Sequence, residues 1–136
     1  MLEGDYWQAL RKHLVPRVYA WKINASYAKG IPDWWASGTQ QDLWVENKRI
    51  QNDAEPPPIL DLTDQKKYLS HHQQDWLAKR HDEGRHVGVV VFSKVGHIYL
   101  PDLTWQQPIS KLDFMSQAGS YKELAEQLIA ILGEGP

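Results

Sequence analysis

Asp33, Glu46 and Lys48 fall within one short stretch, GIPDWWASGTQQDLWVENKR at residues 30–49. Their types suit metal-assisted phosphodiester hydrolysis. A hard divalent cation such as Mg²⁺ takes oxygen ligands, commonly one or two carboxylates with waters and phosphate oxygens. Bound there, it polarises the scissile phosphate and lowers the pKa of a coordinated water. A lysine beside it orients that water and offsets charge building on the phosphoryl oxygens. A bare Glu-x-Lys is elsewhere an ordinary surface ion pair. Here the packaging differs, because Gly30-Ile31-Pro32-Asp33 opens one apolar segment and Leu43-Trp44-Val45 leads another into Glu46.

These groups meet only if a hairpin positions them. Residues 31–36 and 43–49 read as two strands, with a polar, Gly-containing turn over 37–42. Side chains alternate along a strand, so Glu46 and Lys48 share one face while Val45 and Asn47 point the other way. In the obvious antiparallel register, Asp33 lies beside Glu46 and Lys48. Further on, Leu69-Ser70-His71-His72-Gln73 opens a helix that runs to about Asp82, with Trp76, Leu77 and Arg80 or His81 marking its faces and Gly84 closing it. Ser70-x-x-Gln73 is a capping box.

Pro32-Asp33 followed by Glu46-Asn47-Lys48 resembles the PD-(D/E)-x-K signature of restriction-endonuclease-like nucleases. Taken with Leu-Trp-Val-Glu-Asn-Lys, the Gln73 helix start and Trp76-Leu77, the stretch from about residue 3 to 92 resembles the virus-type replication-repair nuclease family. The resemblance implies a Mg²⁺-dependent nuclease, Mn²⁺ substituting, that cuts branched DNA such as flaps or Holliday-junction-like four-way junctions. It implies Asp33 and Glu46 as metal ligands, with Glu3 assisting and the Asn47 carbonyl as a further ligand. Lys48 would then position the attacking water, and Gln73 would support that arrangement. Glu3 also reads as a first-turn acid complementing a helix dipole, with Asp5 the fallback. Gln73 has a second reading as the capping residue alone, each role counting against the other, and Gln74 is the alternative one position on. The resemblance further implies a phage or bacterial setting, hence the cytoplasm of a bacterial cell or an infected host.

Composition sets the frame. A chain of 136 residues with 42% hydrophobic residues and seven Trp fits one folded domain spanning 1–136. With no cysteine in the sequence, disulfides, thiolate zinc sites and a Cys nucleophile are excluded. No apolar run reaches membrane-spanning length and no signal-peptide pattern opens the chain, so the expectation is an intracellular protein without membrane contact. The formal charge of −2 means that any surface for DNA phosphates is local. Small basic sets at Lys48-Arg49, Lys66-Lys67, Lys79-Arg80 and Arg85 read either as solvated surface or as backbone contacts flanking the hairpin.

The remaining elements read as an α/β core in which helices flank a central mixed sheet. Residues 3–14 form an amphipathic helix with Tyr6, Trp7, Leu10 and Leu14 on its buried side, and 18–24 form a first strand. Lys22 on that strand reads equally as a phosphate contact or as exposed surface. Trp34 and Trp35 read as packing, with one of them a candidate stacking platform. Residues 50–65, holding Pro56-Pro57-Pro58, form either a packed surface loop or a substrate-facing flap. Residues 86–92 (HVGVVVF) read as a strand buried on both faces, and 97–100 as its return. A short helix capped by Ser110 and a last helix opened by Ser120-x-x-Glu123 form a C-terminal extension outside the resemblance. Its stripe of Leu124, Leu128, Ile131 and Leu132 suits the core or a dimer contact. A two-armed substrate favours a homodimer. The alternative to an enzyme is a non-catalytic DNA-binding module on the same fold.

Overall fold

In the computed structural model, Val87–Ser93 is buried along its whole length, and the other elements are layered around it. The structure describes residues 3–24 and 29–135, with the side chains of Glu3 and Asp53 outside the description. In chain order the elements begin with α1 (Glu3–Leu14), β1 (Tyr19–Lys22), β2 (Trp34–Ser37), β3 (Asp42–Arg49) and β4 (Ile59–Leu60). They continue with α2 (His71–Asp82), β5 (Val87–Ser93), β6 (Gly96–Pro101), β7 (Ile109–Ser110), α3 (Lys111–Gln117) and α4 (Tyr121–Leu132).

The main sheet has the order β1-β2-β3-β5-β6. It is antiparallel except where β3 runs parallel to β5, with Glu46 beside Val89 and Lys48 beside Val91. That parallel pair needs a crossover, and the segment from Ile50 through α2 supplies it. Helices cover both faces. On one side Tyr6, Leu10 and Leu14 of α1 and Leu124, Leu128 and Leu132 of α4 share a core with Trp34, Val45, Val90 and Phe92. On the other, Leu77 of α2 and Phe114 of α3 share a second core with Val87, Val89, Val91 and Ile98. This is the expected mixed sheet between helices. Gly88 permits its tightest approach, since a Cβ there would run into the Tyr99 ring.

Several expectations are refined. The strand expected over 31–36 begins at Trp34, because Pro32 has no amide for the ladder. The first strand is likewise shorter, at Tyr19–Lys22. Residues 50–65 take the packed reading rather than that of a flap: Ile50, Leu60 and Leu62 are buried, and β4 pairs with β7. The C-terminal part is no appendage. Leu124, Leu128 and Leu132 complete the α1 core, and the amides of Thr39 and Gln40 in the β2–β3 turn donate to the carbonyls of Gly133 and Leu132 at 2.9 and 2.8 Å. The hairpin is thereby pinned to the end of α4. Both Ser-x-x-Gln/Glu capping boxes form as the sequence indicates, at Ser70 and Ser120.

Candidate active site

The β2–β3 register places Trp34 opposite Val45, so Asp33, one residue earlier, comes alongside Glu46. Its carboxylate is held there by a backbone donor, the Asn47 amide reaching Asp33 Oδ2 at 2.8 Å. Gly30 helps set the approach. Its φ of 83° is a left-handed conformation, and a Cβ there would collide with the His72 carbonyl. The Gly-Ile-Pro-Asp segment can therefore lie against the first turn of α2, the turn that carries Gln73.

Glu46 sits at the centre and is only 2% exposed. Its Oε2 accepts from Gln73 Nε2 at 2.5 Å and lies 3.4 Å from Lys48 Nζ. Its Oε1 is buried and has no hydrogen-bond partner among the described residues. Burial, and then the charge on Asp33, push this carboxyl up to about 9, and the ammonium of Lys48 only partly offsets them. At neutral pH Glu46 therefore keeps a proton unless a cation takes its place. A buried orphan oxygen beside a second carboxylate is an oxygen donor set that suits a hard divalent cation, so the residues present fit such an ion.

Gln73 makes the contacts of both its readings, the cap and the approach to Glu46. Its Oε1 accepts from the Ser70 amide at 3.0 Å, and its backbone amide donates to Ser70 Oγ at 3.2 Å. Its Nε2 is left free to donate to Glu46. The two roles are compatible because an amide side chain accepts at one atom and donates at the other. Gln74 is excluded from the site, since its Nε2 donates to the carbonyls of Thr63 and Leu69, both at 2.9 Å.

Asn47 brings only its backbone. Its side chain lies on the opposite face, where Oδ1 accepts from Trp34 Nε1 at 2.8 Å. Lys22 stands opposite Trp34 and so belongs to that other face too, which leaves it the exposed strand lysine. The Glu3 side chain lies outside the described residues. Asp5 is exposed on α1, the helix packed on the far side of the sheet. Among the described residues, no three of His, Cys, Asp and Glu cluster to hold a metal, and His71 and His72 are exposed.

Sequence reasoning missed the shape of the surroundings. Lys48, Arg49, Gln51, Asn52 and Lys67 line a cavity of about 400 Å³. The pairs Lys48-Arg49 and Lys66-Lys67 were visible in the chain, but the turn after β3 that faces them toward one another was not. On the other side of Glu46, Trp44 meets Trp76 with ring centroids 5.6 Å apart.

No family model matches the chain, and no curated protein matches it. Among solved structures it is similar to Hjc, a Holliday junction resolvase of the archaeal hyperthermophile Archaeoglobus fulgidus. The TM-score is 0.57 at 17% identity, over 90% of this chain and 96% of that one. At that identity the likeness speaks for the fold alone. The chain shares the fold of that protein, a central mixed sheet flanked by helices.

Proposed function

We propose that this protein is a Mg²⁺-dependent endonuclease that cuts branched DNA, of the virus-type replication-repair class. The observation that carries this reading is the convergence of Asp33, Lys48 and, from α2, Gln73 on the Glu46 carboxyl, whose Oε2 meets Gln73 and Lys48 while its buried Oε1 has no partner among the described residues. Asp33 and Glu46 are the proposed metal ligands, with the Asn47 carbonyl and Glu3 completing the protein's share; Mn²⁺ would serve as well. When bound, the ion polarises the scissile phosphate and acidifies a water. Lys48 directs its ammonium at the phosphoryl oxygens and offsets their charge. Gln73, fixed by the Ser70 cap, holds Glu46 in one orientation, and the Asn47 amide does the same for Asp33.

The basic cavity beside Lys48 supports contact with a DNA backbone, because Lys67 and Arg49 there are of a charge and reach suited to phosphates. The fold shared with a Holliday junction resolvase supports a four-way junction as substrate, and a two-armed substrate favours a homodimer. Replication or recombination in a bacterial or phage-infected cytoplasm is the setting that this reading implies. The test is a cleavage assay with Mg²⁺ or Mn²⁺ on single-stranded, linear duplex, flap and four-way junction DNA, with Asp33→Ala as control. Metal-dependent cutting of a branched DNA, absent in the variant, is the expected result. Tight binding without cutting of any substrate would replace this reading with a non-catalytic module.

A further inference from the structure

The sequence carries seven tryptophans, and three of them, Trp7, Trp34 and Trp105, are buried in the two cores. The other four form a row. Trp21 stands directly opposite Trp35 across β1 and β2, and Trp35 directly opposite Trp44 across β2 and β3. Opposed residues in neighbouring strands project from the same face. Trp35 and Trp44 have ring centroids 6.3 Å apart, and Trp44 then meets Trp76 of α2 at 5.6 Å. The row thus crosses the sheet from its free edge to the flanking helix.

Its face is that of the active site. Trp44, Glu46 and Lys48 alternate along β3, so Trp44 lies about 7 Å along the strand from Glu46. The helical layer does not reach the β1 end, where Trp21 is 62% exposed and Tyr19 is 70% exposed. The other end carries two guanidinium groups: Arg80 lies over the Trp76 ring at 5.4 Å and pairs with Glu83 at 2.8 Å, and Arg80 and Arg85 line a cavity with Trp44 and Trp76. Cross-strand aromatic pairs stabilise hairpins, which accounts for Trp35 against Trp44. It does not account for an exposed Trp21 in line with them or for guanidinium groups at the end of the row.

We infer that this row is a stacking platform for unpaired nucleobases of the DNA strand that leads to Glu46 and Lys48, with Arg80 and Arg85 taking its phosphates. Every base has a π-face, so stacking on tryptophan is strong and tolerant of sequence. Arginine beside an aromatic ring adds charge complementarity to the backbone. Unpaired bases are present at a fork or flap, and at a four-way junction where base pairs at the branch point open, but not along intact duplex. The row would therefore make the nuclease selective for branched DNA without reading sequence. The inference rests on the nuclease reading in placing DNA at this face.

The experiment measures binding by the full chain in EDTA, where metal-dependent cutting cannot occur. The probes are a single-stranded oligonucleotide carrying 2-aminopurine, a blunt duplex of the same sequence, and a four-way junction with 2-aminopurine at the branch. Wild type should quench 2-aminopurine in the single strand and the junction but not in the duplex. Trp21→Ala and Trp35→Ala should each weaken single-strand binding about tenfold, with Trp35→Phe restoring most of it and duplex affinity unchanged. Unchanged single-strand affinity in both alanine variants, with native circular dichroism, would overturn the platform. So would variants that turn a wild-type dimer into monomers of undiminished affinity, which would make the row an interface between copies of the chain. Wild-type quenching lost in the alanine variants, with no branched DNA cut in Mg²⁺, would sink the nuclease reading and keep the platform.

Discussion

The two faces of the main sheet are built from the same strands and do opposite work. On the α1/α4 face, Leu43, Val45 and Asn47 of β3 look into a closed core, where even the polar Asn47 is paired, with Trp34. On the α2 face, Trp44, Glu46 and Lys48 of that strand look into a half-open layer, where Glu46 keeps a buried oxygen unpaired. The difference teaches where this protein tolerates electrostatic cost. A buried carboxyl with an unsatisfied oxygen is expensive, and an incoming cation would relieve that cost. Among the described residues, β3 leaves no buried polar side-chain atom unpaired on the opposite face. A β-strand makes the division possible because its side-chain period of two gives one residue to the closed core and the next to the candidate site.

A pair of substitutions breaks the comparison most sharply. Lys48→Ala should lower cleavage of branched DNA at least about a hundredfold while leaving the melting temperature close to wild type. Leu128→Ala, in the closed core, should do the reverse. It should cost about 2–5 kcal/mol in denaturant unfolding and leave the cleavage rate per folded molecule intact. If Leu128→Ala lost activity while still folded, the faces would not be independent.

Glu46→Gln probes the cost directly. The folded carboxyl titrates at about 9 against 4.5 for the free group, so the protonated form is favoured in the folded state. Its contribution to stability is fully present below about pH 4.5 and is lost as pH rises toward 9. Metal-free wild type should therefore weaken across that window, and Glu46→Gln should be more stable than wild type at pH 8 by at least about 2 kcal/mol. Mg²⁺ should raise the melting temperature of wild type and not that of the variant. A flat and identical pH profile for both proteins would mean that Glu46 is not destabilised by ionisation.

Gln73 links the two kinds of work within a single side chain, and a smaller effect separates them. Ser70→Ala should cost about 1 kcal/mol through the cap with cleavage largely kept. Gln73→Ala should cost a similar amount and also cut the cleavage rate about tenfold. Equal activities in the two variants would reduce Gln73 to a capping residue.

The smallest effect belongs to the closed face. His97 lies among the rings of Tyr6, Phe92 and Tyr121, and its Nδ1 accepts from the Ser93 amide at 3.3 Å. Burial holds it down at about 4. The neutral form gives stability that is present above pH 6.5 and lost as pH falls toward 4. Near pH 5.5 the loss should be about 1 kcal/mol, read by thermal melts of wild type against His97→Phe. The two faces thus predict opposite pH slopes, acid-sensitive on one side and alkali-sensitive on the other.

The sequence alone carried the local grammar. Ser70-x-x-Gln73 and Ser120-x-x-Glu123 announce their helices because a cap is satisfied within four residues. The run of β-branched residues from Val87 announces a strand buried on both sides. Asp33, Glu46 and Lys48 were legible as a group because a two-residue alternation and a short hairpin fix their faces without help from the rest of the chain. What the sequence could not contain was what lies across from each of them. That Gln73 reaches Glu46 depends on the crossover which returns α2 over β3. That Trp21, Trp35, Trp44 and Trp76 fall in line depends on strand register and on that same helix. That α4 completes the α1 core depends on contacts between the two ends of the chain. Periodicity is a property of neighbours along the backbone. Convergence of distant segments depends on burial and on the hydrogen-bond register across the sheet, which only the tertiary structure decides.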